Sequence, residues 1–382
     1  TIRMMVEGEF GYVDTILTIG CAMIFMKVIE GSGALDALSS LIIEKFHRFP
    51  AVLLVLIMLI IMFPGMITGS STAAVLSAGS IMAPVLALMG IDAVTSGSII
   101  AMGALLGMIA PPVNTAALII CAGIDVPYVG FEGPLALITF PLAILFVLLL
   151  GYKQARHMDY EKLKPALEKQ DAIRKQYGVR IYIPLLVLVA LMVIFKVLKL
   201  GEDIGMPLMF LISAAVGLFT GKKINVLTAV PEAIRTAAPV MGILMGVGMF
   251  IEVMTATGVR GLVVISCLRL PSTLWLLACA ISIPLFGAVS SYGACSVLGV
   301  PFAYIYASLL GGNSVVVLAA ISLIAAVGDM MPPTALAGLF AAQVTGVEKY
   351  TEILKRCIVP IIILLVYACF FLANSKLIAG LF

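Results

Sequence analysis

Charge is what this chain has least of. Lys and Arg number 23 and Asp and Glu 20 among 382 residues, a net of +3. So small and scattered a balance offers no nucleic-acid surface. Histidine is scarcer still: His47 and His157 stand alone, each in a charged stretch, which leaves no imidazole in the apolar segments to ligate zinc or haem. The cysteines (Cys21, Cys121, Cys267, Cys279, Cys295, Cys357 and Cys369) lie in apolar runs without a CxxC pair, and read as small core residues rather than a redox or metal motif. The chain starts Thr1-Ile2-Arg3 with no initiator Met and no small-residue cleavage site, and a preceding N-terminal stretch is expected.

Hydrophobicity is abundant: 62% of residues, with a mean hydropathy of +1.20. This is far from the composition of a soluble domain. At about 20 residues per crossing there is material for at most roughly a dozen membrane segments, half-length ones included, so the chain is expected to be an all-α polytopic protein with the lipid bilayer as its surroundings.

The run from Arg48 to Asp92 holds 43 uncharged residues, and that from Arg269 to Asp329 holds 59. Neither fits a single span. The first is interrupted by Pro64-Gly65 and Thr68-Gly69-Ser70-Ser71-Thr72, the second by Gly287-Ala288-Val289-Ser290-Ser291-Tyr292-Gly293. Small and hydroxyl residues have little reason to cluster on a lipid-facing helix, so each run predicts two helical arms around a polar re-entrant tip. Shorter runs bounded by Glu132/Lys153, Arg180/Lys196, Asp203/Lys222, Arg235/Glu252 and Arg356/Lys376 suit single crossings. The long polar segment Tyr152 to Arg180 carries eight basic residues, which makes it cytoplasmic; Leu163, Leu167 and Ile173 within it could form a surface helix, though a plain connector is the simpler reading. Gly221-Lys222-Lys223 returns basic residues to the same side, and Gly201-Glu202-Asp203 falls on the other.

Gly107-Met-Ile-Ala-Pro111-Pro112 recurs as Gly328-Asp-Met-Met-Pro332-Pro333, and the segments around Gly33 and Gly258, Pro141 and Pro360, and Gly123 and Gly346 follow in the same order. The chain reads as two copies of one unit: a first repeat over 1–151, the connector 152–180, linking helices over 181–233, and a second repeat over 234–382. The first copy ends in eight basic residues and the second in one, as expected of inverted copies. Inverted repeats with broken helices are the architecture of many secondary transporters.

Proline removes an N–H and clashes with the preceding turn, so Gly-x-x-x-Pro-Pro in a membrane helix frees backbone carbonyls. With tip hydroxyls these are hard oxygen ligands suited to Na⁺, while half-helix N-termini suit an anionic substrate. Lys27, Glu30, Glu252 and Asp329 are the ionisable residues to weigh, because burying them is costly. The repeat offset makes Lys27 and Glu252 equivalent, so they are a candidate ion pair; Asp329 could ligate an ion, take up a proton, or merely cap a half-helix.

The pattern Phe63-Pro-Gly-Met-Ile-Thr-Gly-Ser-Ser-Thr-Ala73, then Pro84, Gly90, Gly107-x-x-x-Pro-Pro and Gly123, resembles the large membrane (M-type) subunit of TRAP transporters, in the ion-transporter superfamily, over Gly31 to about Leu365. The resemblance implies an elevator carrier in a bacterial or archaeal cytoplasmic (inner) membrane. It would import an organic acid with Na⁺ as coupling ion, and work with a small membrane subunit and an extracytoplasmic substrate-binding protein. Carried onto matching positions, the substrate and ion site would be Gly69, Ser70, Ser71 and Thr72 with Pro111, Pro112 and Asn114, mirrored by Ser290, Ser291, Asp329, Pro332, Pro333 and Thr334. The second tip, Ser-Ser-Tyr-Gly-Ala-Cys, departs from the family pattern. A stand-alone Na⁺- or H⁺-coupled anion symporter or antiporter of the same superfamily is the alternative. No enzyme is expected: an intramembrane aspartyl protease would want Gly-x-Gly-Asp, and Ala326-Val-Gly328-Asp329 lacks the first Gly. A channel would want a filter repeat, which is absent.

Overall fold

The computed structural model describes residues 2–10, 13–156, 172–197, 205–269 and 271–382, and all secondary structure among them is helical. The middle of the connector, with Leu163 and Leu167, and the loop Gly201-Glu202-Asp203 lie outside the described residues; Ile173 is in a helical stretch of residues 172–177.

Helices α1 (Ile2–Phe10), α2 (Val13–Ser32) and α3 (Ala34–Phe46) lead to the first hairpin, α4 (Pro50–Thr68) and α5 (Ser71–Leu88). Next come α6 (Ala93–Ile109), α7 (Thr115–Gly123) and α8 (Glu132–Ala155). Beyond the connector are α9 (Ile183–Val197), α10 (Met206–Gly217), α11 (Val226–Ala256) and α12 (Val259–Leu268). The second hairpin is α13 (Ser272–Gly287) and α14 (Ser291–Leu309), followed by α15 (Ser314–Ala326), α16 (Leu336–Thr345), α17 (Tyr350–Ala373) and α18 (Ser375–Ala379). Among the described residues seven helices are long and apolar enough to cross a membrane. The uncharged runs placed α8, α9 and α17 well. They truncated α11, whose 31 residues extend through Glu232 and Arg235, and the Asp203/Lys222 run yields only the 12-residue α10.

Local chemistry sets the boundaries. Pro50 opens α4 at its first turn, where its missing N–H costs nothing, and Gly69 closes it with a left-handed φ of 64°. Asp92, Asn114, Asn225 and Asn313 each cap a helix through a side-chain oxygen. Both hairpins restart on a serine cap: Ser70 accepts from the Ala73 amide at 3.3 Å and Ser290 from the Gly293 amide at 3.1 Å. Each returning arm opens with a turn of α-helix and then a π-turn, Val75–Gly79 in α5 and Cys295–Gly299 in α14.

The core forms around α6 and α15, which are apolar or small on every side and buried along nearly their whole length. Helix α6 is packed by α4, α8, α16 and α17, and α15 by α7, α13 and α17. A separate group, α1, α2, α10 and α11, packs chiefly on itself and meets the core where α2 touches α4 and α11 touches the start of α14. Glycine permits the closest approach inside each half. A Cβ on Gly107 would meet the Met62 carbonyl oxygen at 2.5 Å, and one on Gly328 would meet the Gly287 carbonyl carbon at 2.5 Å. Descending arm and broken helix are therefore in backbone contact in both halves.

Candidate functional site

Both broken helices end for the same reason. Ala110 and Met331 are extended (ψ 151° and 136°), as residues before proline must be, and Pro111-Pro112 and Pro332-Pro333 follow with cis peptide bonds. The chain past each break is tied to the neighbouring tip. The Val113 amide donates to the Met66 carbonyl at 3.1 Å, and the Thr334 amide to the Ala288 carbonyl at 3.3 Å, with the Thr334 hydroxyl on the same oxygen at 2.8 Å. Amides just past each break thus find in the neighbouring tip the acceptors that the interrupted helix no longer supplies.

The two tips, far apart in sequence, meet at one place. The Ser71 hydroxyl of the first tip donates to the Asp329 carboxylate beside the second break, and Ser291 of the second tip lies buried on the same cavity. Asp329 lies inside the 3₁₀ turn Val327–Met330, whose cap is Ala326, so its side chain serves this cluster rather than a helix end. Tyr292 donates to the Gly69 carbonyl at 2.8 Å, closing a second tie between the tips. Ser71, Ser291, Tyr292 and Asp329 are all buried.

A cavity of about 430 Å³ opens beside this cluster, between the tips and the wall formed by α2 and α11. Of the residues expected to form the site, Ser70, Ser71, Thr72, Ser290, Ser291, Asp329 and Thr334 line it. Gly69 stands behind the tip. Pro111, Pro112, Pro332 and Pro333 are not on its wall, and their part is to bend the backbone. Asn114 is also off the wall and wholly buried: its Nδ2 donates to the Ser322 hydroxyl at 2.8 Å and its Oδ1 caps the Ala117 amide at 2.9 Å. Tyr128 steadies the first break from outside, donating to the Pro112 carbonyl at 3.1 Å.

The wall opposite the tips carries Lys27 and Glu30 of α2. Lys27 is ion-paired with Glu30 and with Glu232 of α11, each at 3.4 Å. This corrects the pairing of Lys27 with Glu252: a repeat offset predicts equivalence, whereas the pair is set by which helices pack, and α11 brings Glu232 to Lys27. Tyr292, Glu232, Tyr128 and Ser322 were missed by sequence reasoning. Tyr292 stood beside the serines of the tip and was legible as a hydroxyl; the others carry no local signal.

Among the described residues no three His, Cys, Asp or Glu side chains converge, so a cation beside the tips would be held by hydroxyl and carbonyl oxygens with the Asp329 carboxylate, while Glu30 on the facing wall is paired with Lys27. Thr115 contributes a further oxygen near the first tip: its hydroxyl is buried, has no hydrogen-bond partner, and lies where a side chain on Gly69 would have to go.

No curated protein matches the chain. Among solved structures it is similar to the YdaH transporter of Alcanivorax borkumensis, with 16% identity and a TM-score of 0.61 over 98% of this chain and 88% of that one. A likeness at that identity speaks for the fold alone, and the fold is that of a helical transporter. Residues 2–375 match the family described as the tripartite ATP-independent periplasmic transporter, DctM component. The chain therefore belongs to the DctM family, the large component of the tripartite TRAP systems, and is a multi-pass membrane protein and secondary transporter.

Proposed function

We propose that the chain imports a small organic anion, a carboxylate, driven by a Na⁺ gradient. It does so as the transport subunit of a binding-protein-dependent system in a bacterial or archaeal cytoplasmic membrane, with a small membrane subunit and an extracytoplasmic binding protein as partners. The observation that carries this reading is the convergence of both tips and Asp329 on one cavity. Helices α5 and α14 each begin at a serine cap on its rim, so two positive helix ends are available to an anion where neither tip has an arginine. Hydroxyls, freed carbonyls and one carboxylate are ligands that suit Na⁺.

The grouping of α1, α2, α10 and α11 apart from the hairpins supports an elevator, in which the hairpin unit carries the site past a fixed wall. The recurrence of hairpin, glycine contact, broken helix and long helix supports inverted repeats. Uptake of a radiolabelled organic-acid panel into proteoliposomes holding the chain and its small subunit, with the binding protein added outside, tests the reading. Accumulation should require an inward Na⁺ gradient and the binding protein. Uptake driven equally by a proton gradient, or without the binding protein, would transfer the chain to the stand-alone carriers.

A further inference from the structure

The first tip is held by a residue from the other half of the chain. Gly69 is in the left-handed region, its N–H is committed to the Gly65 carbonyl at 2.7 Å, and the Thr115 hydroxyl fills the space beside its Cα. Its carbonyl points across the junction, where the Tyr292 hydroxyl meets it at 2.8 Å. Next in sequence are Ser70 and Ser71, whose hydroxyls cap α5 and bond to Asp329. The carbonyl that Tyr292 holds therefore sets the peptide that aims both serines.

The tie is one-sided. Ser70-Ser71-Thr72 aligns with Ser290-Ser291-Tyr292, so Thr72 is the counterpart of Tyr292. Thr72 lines the cavity, and its short side chain cannot span the junction as a phenol does. A tyrosine whose only task was to fill space would have no use for its hydroxyl, whereas this one is 8% exposed and makes a well-formed bond.

We propose that Tyr292 is a positioning residue for the first hairpin: its hydroxyl fixes the Gly69 turn, so the serines of one half are placed by a side chain of the other and neither tip loosens alone. For its consequence on uptake the proposal rests on the cavity being the transport site. Its structural content does not.

The test uses Tyr292→Phe in the full chain in lipid nanodiscs, followed by amide hydrogen exchange. Loss of a typical hydrogen bond should speed exchange of residues 66–76 about tenfold. Exchange in α6 and the melting temperature should match the unmodified chain. Tyr292→Met, which fills the space with an adaptable side chain and no hydroxyl, should do the same. Ser71→Ala should in turn speed exchange of residues 290–296, because coupling between sites is reciprocal. Unchanged exchange at 66–76 in both Tyr292 variants, or a rise spread evenly through the chain, overturns the proposal. In proteoliposomes, Tyr292→Phe should raise the Na⁺ concentration for half-maximal uptake about fivefold to tenfold with the maximal rate retained; faster exchange with an unmoved half-saturation overturns the role in the site. If the unmodified chain shows no Na⁺ dependence, the proposed function falls, and the exchange result still decides on Tyr292.

Discussion

Asp329→Asn isolates the charge at the junction of the two tips. The substitution keeps the shape and one acceptor oxygen, so Ser71 retains a partner, while the second oxygen becomes a donor. Hydrogen bonds to a charged acceptor contribute about 1.5–3 kcal/mol and neutral ones about 0.5–1.5, so the Ser71 bond weakens by roughly 1–1.5 kcal/mol. Against this stands the cost of a buried carboxylate, which the amide does not carry. The two effects oppose each other in the empty protein, and the melting temperature should move by only a few degrees. If Na⁺ binds beside the tips as proposed, it meets no such offset: it loses the charge of Asp329, and a coupling of about 1–3 kcal/mol corresponds to a 5-fold to 150-fold weaker Na⁺ dependence. Uptake at stepped external Na⁺, with the melting temperature measured on the same preparation, reads both quantities. Normal Na⁺-driven uptake by Asp329→Asn would remove Asp329 from the site and leave only hydroxyl and carbonyl ligands.

Gly328→Ala and Gly107→Ala each place a methyl against backbone that cannot swing aside, and should lower stability by about 1–3 kcal/mol, read as a fall in melting temperature; Gly242→Ala, with open space around it, is the control. Lys27→Met leaves Glu30 and Glu232 without their cation, and because Glu232 is 64% exposed the loss should stay near 1 kcal/mol, while Lys27→Arg should recover most of it in the same melting assay. Cysteines placed at Val179 and Leu377, both well exposed, should be labelled from opposite sides of the membrane if the halves are inverted; labelling of both from one side refutes the inversion. Partial burial works against the charge on Asp92, at the start of α6, but the Thr95 amide and the Gln154 side chain outweigh it and hold its carboxyl below the usual range. A group depressed on folding contributes stability above its unfolded value, near pH 4, and loses it as pH falls through the folded one. Acid titration of the melting temperature below about pH 4 should therefore be flatter in Asp92→Asn.

Much of the architecture was legible because its determinants are local. Proline pairs, left-handed glycines and serine caps act on their own few residues, so the breaks at Pro111 and Pro332 and the tips at Gly69 and Ser290 could be read from the string. The convergence of those tips on Asp329 was not, since a hydroxyl bonding to a carboxylate 258 residues away leaves no periodic trace. The same holds for Lys27: its charge was visible and its partner was not, because Glu232 sits on a helix that continues past the charges taken as its end. Asn114 shows the converse case. A polar residue beside a helix break looks like a ligand until the fold gives both ends of its amide to Ser322 and Ala117.

One asymmetry between the breaks has a practical edge. Where the first half places Asn114, extended and capping α7, the second places Ala335, buried, uncapped and held at φ 40°, a region a residue with a Cβ enters at a cost of about 1–2 kcal/mol. The two breaks are therefore of unequal strength, and the more strained one follows Asp329, the one carboxylate buried among the described residues. Heat or protease should find that break first. An engineer seeking a sturdier protein would choose Ala335→Gly to relieve it.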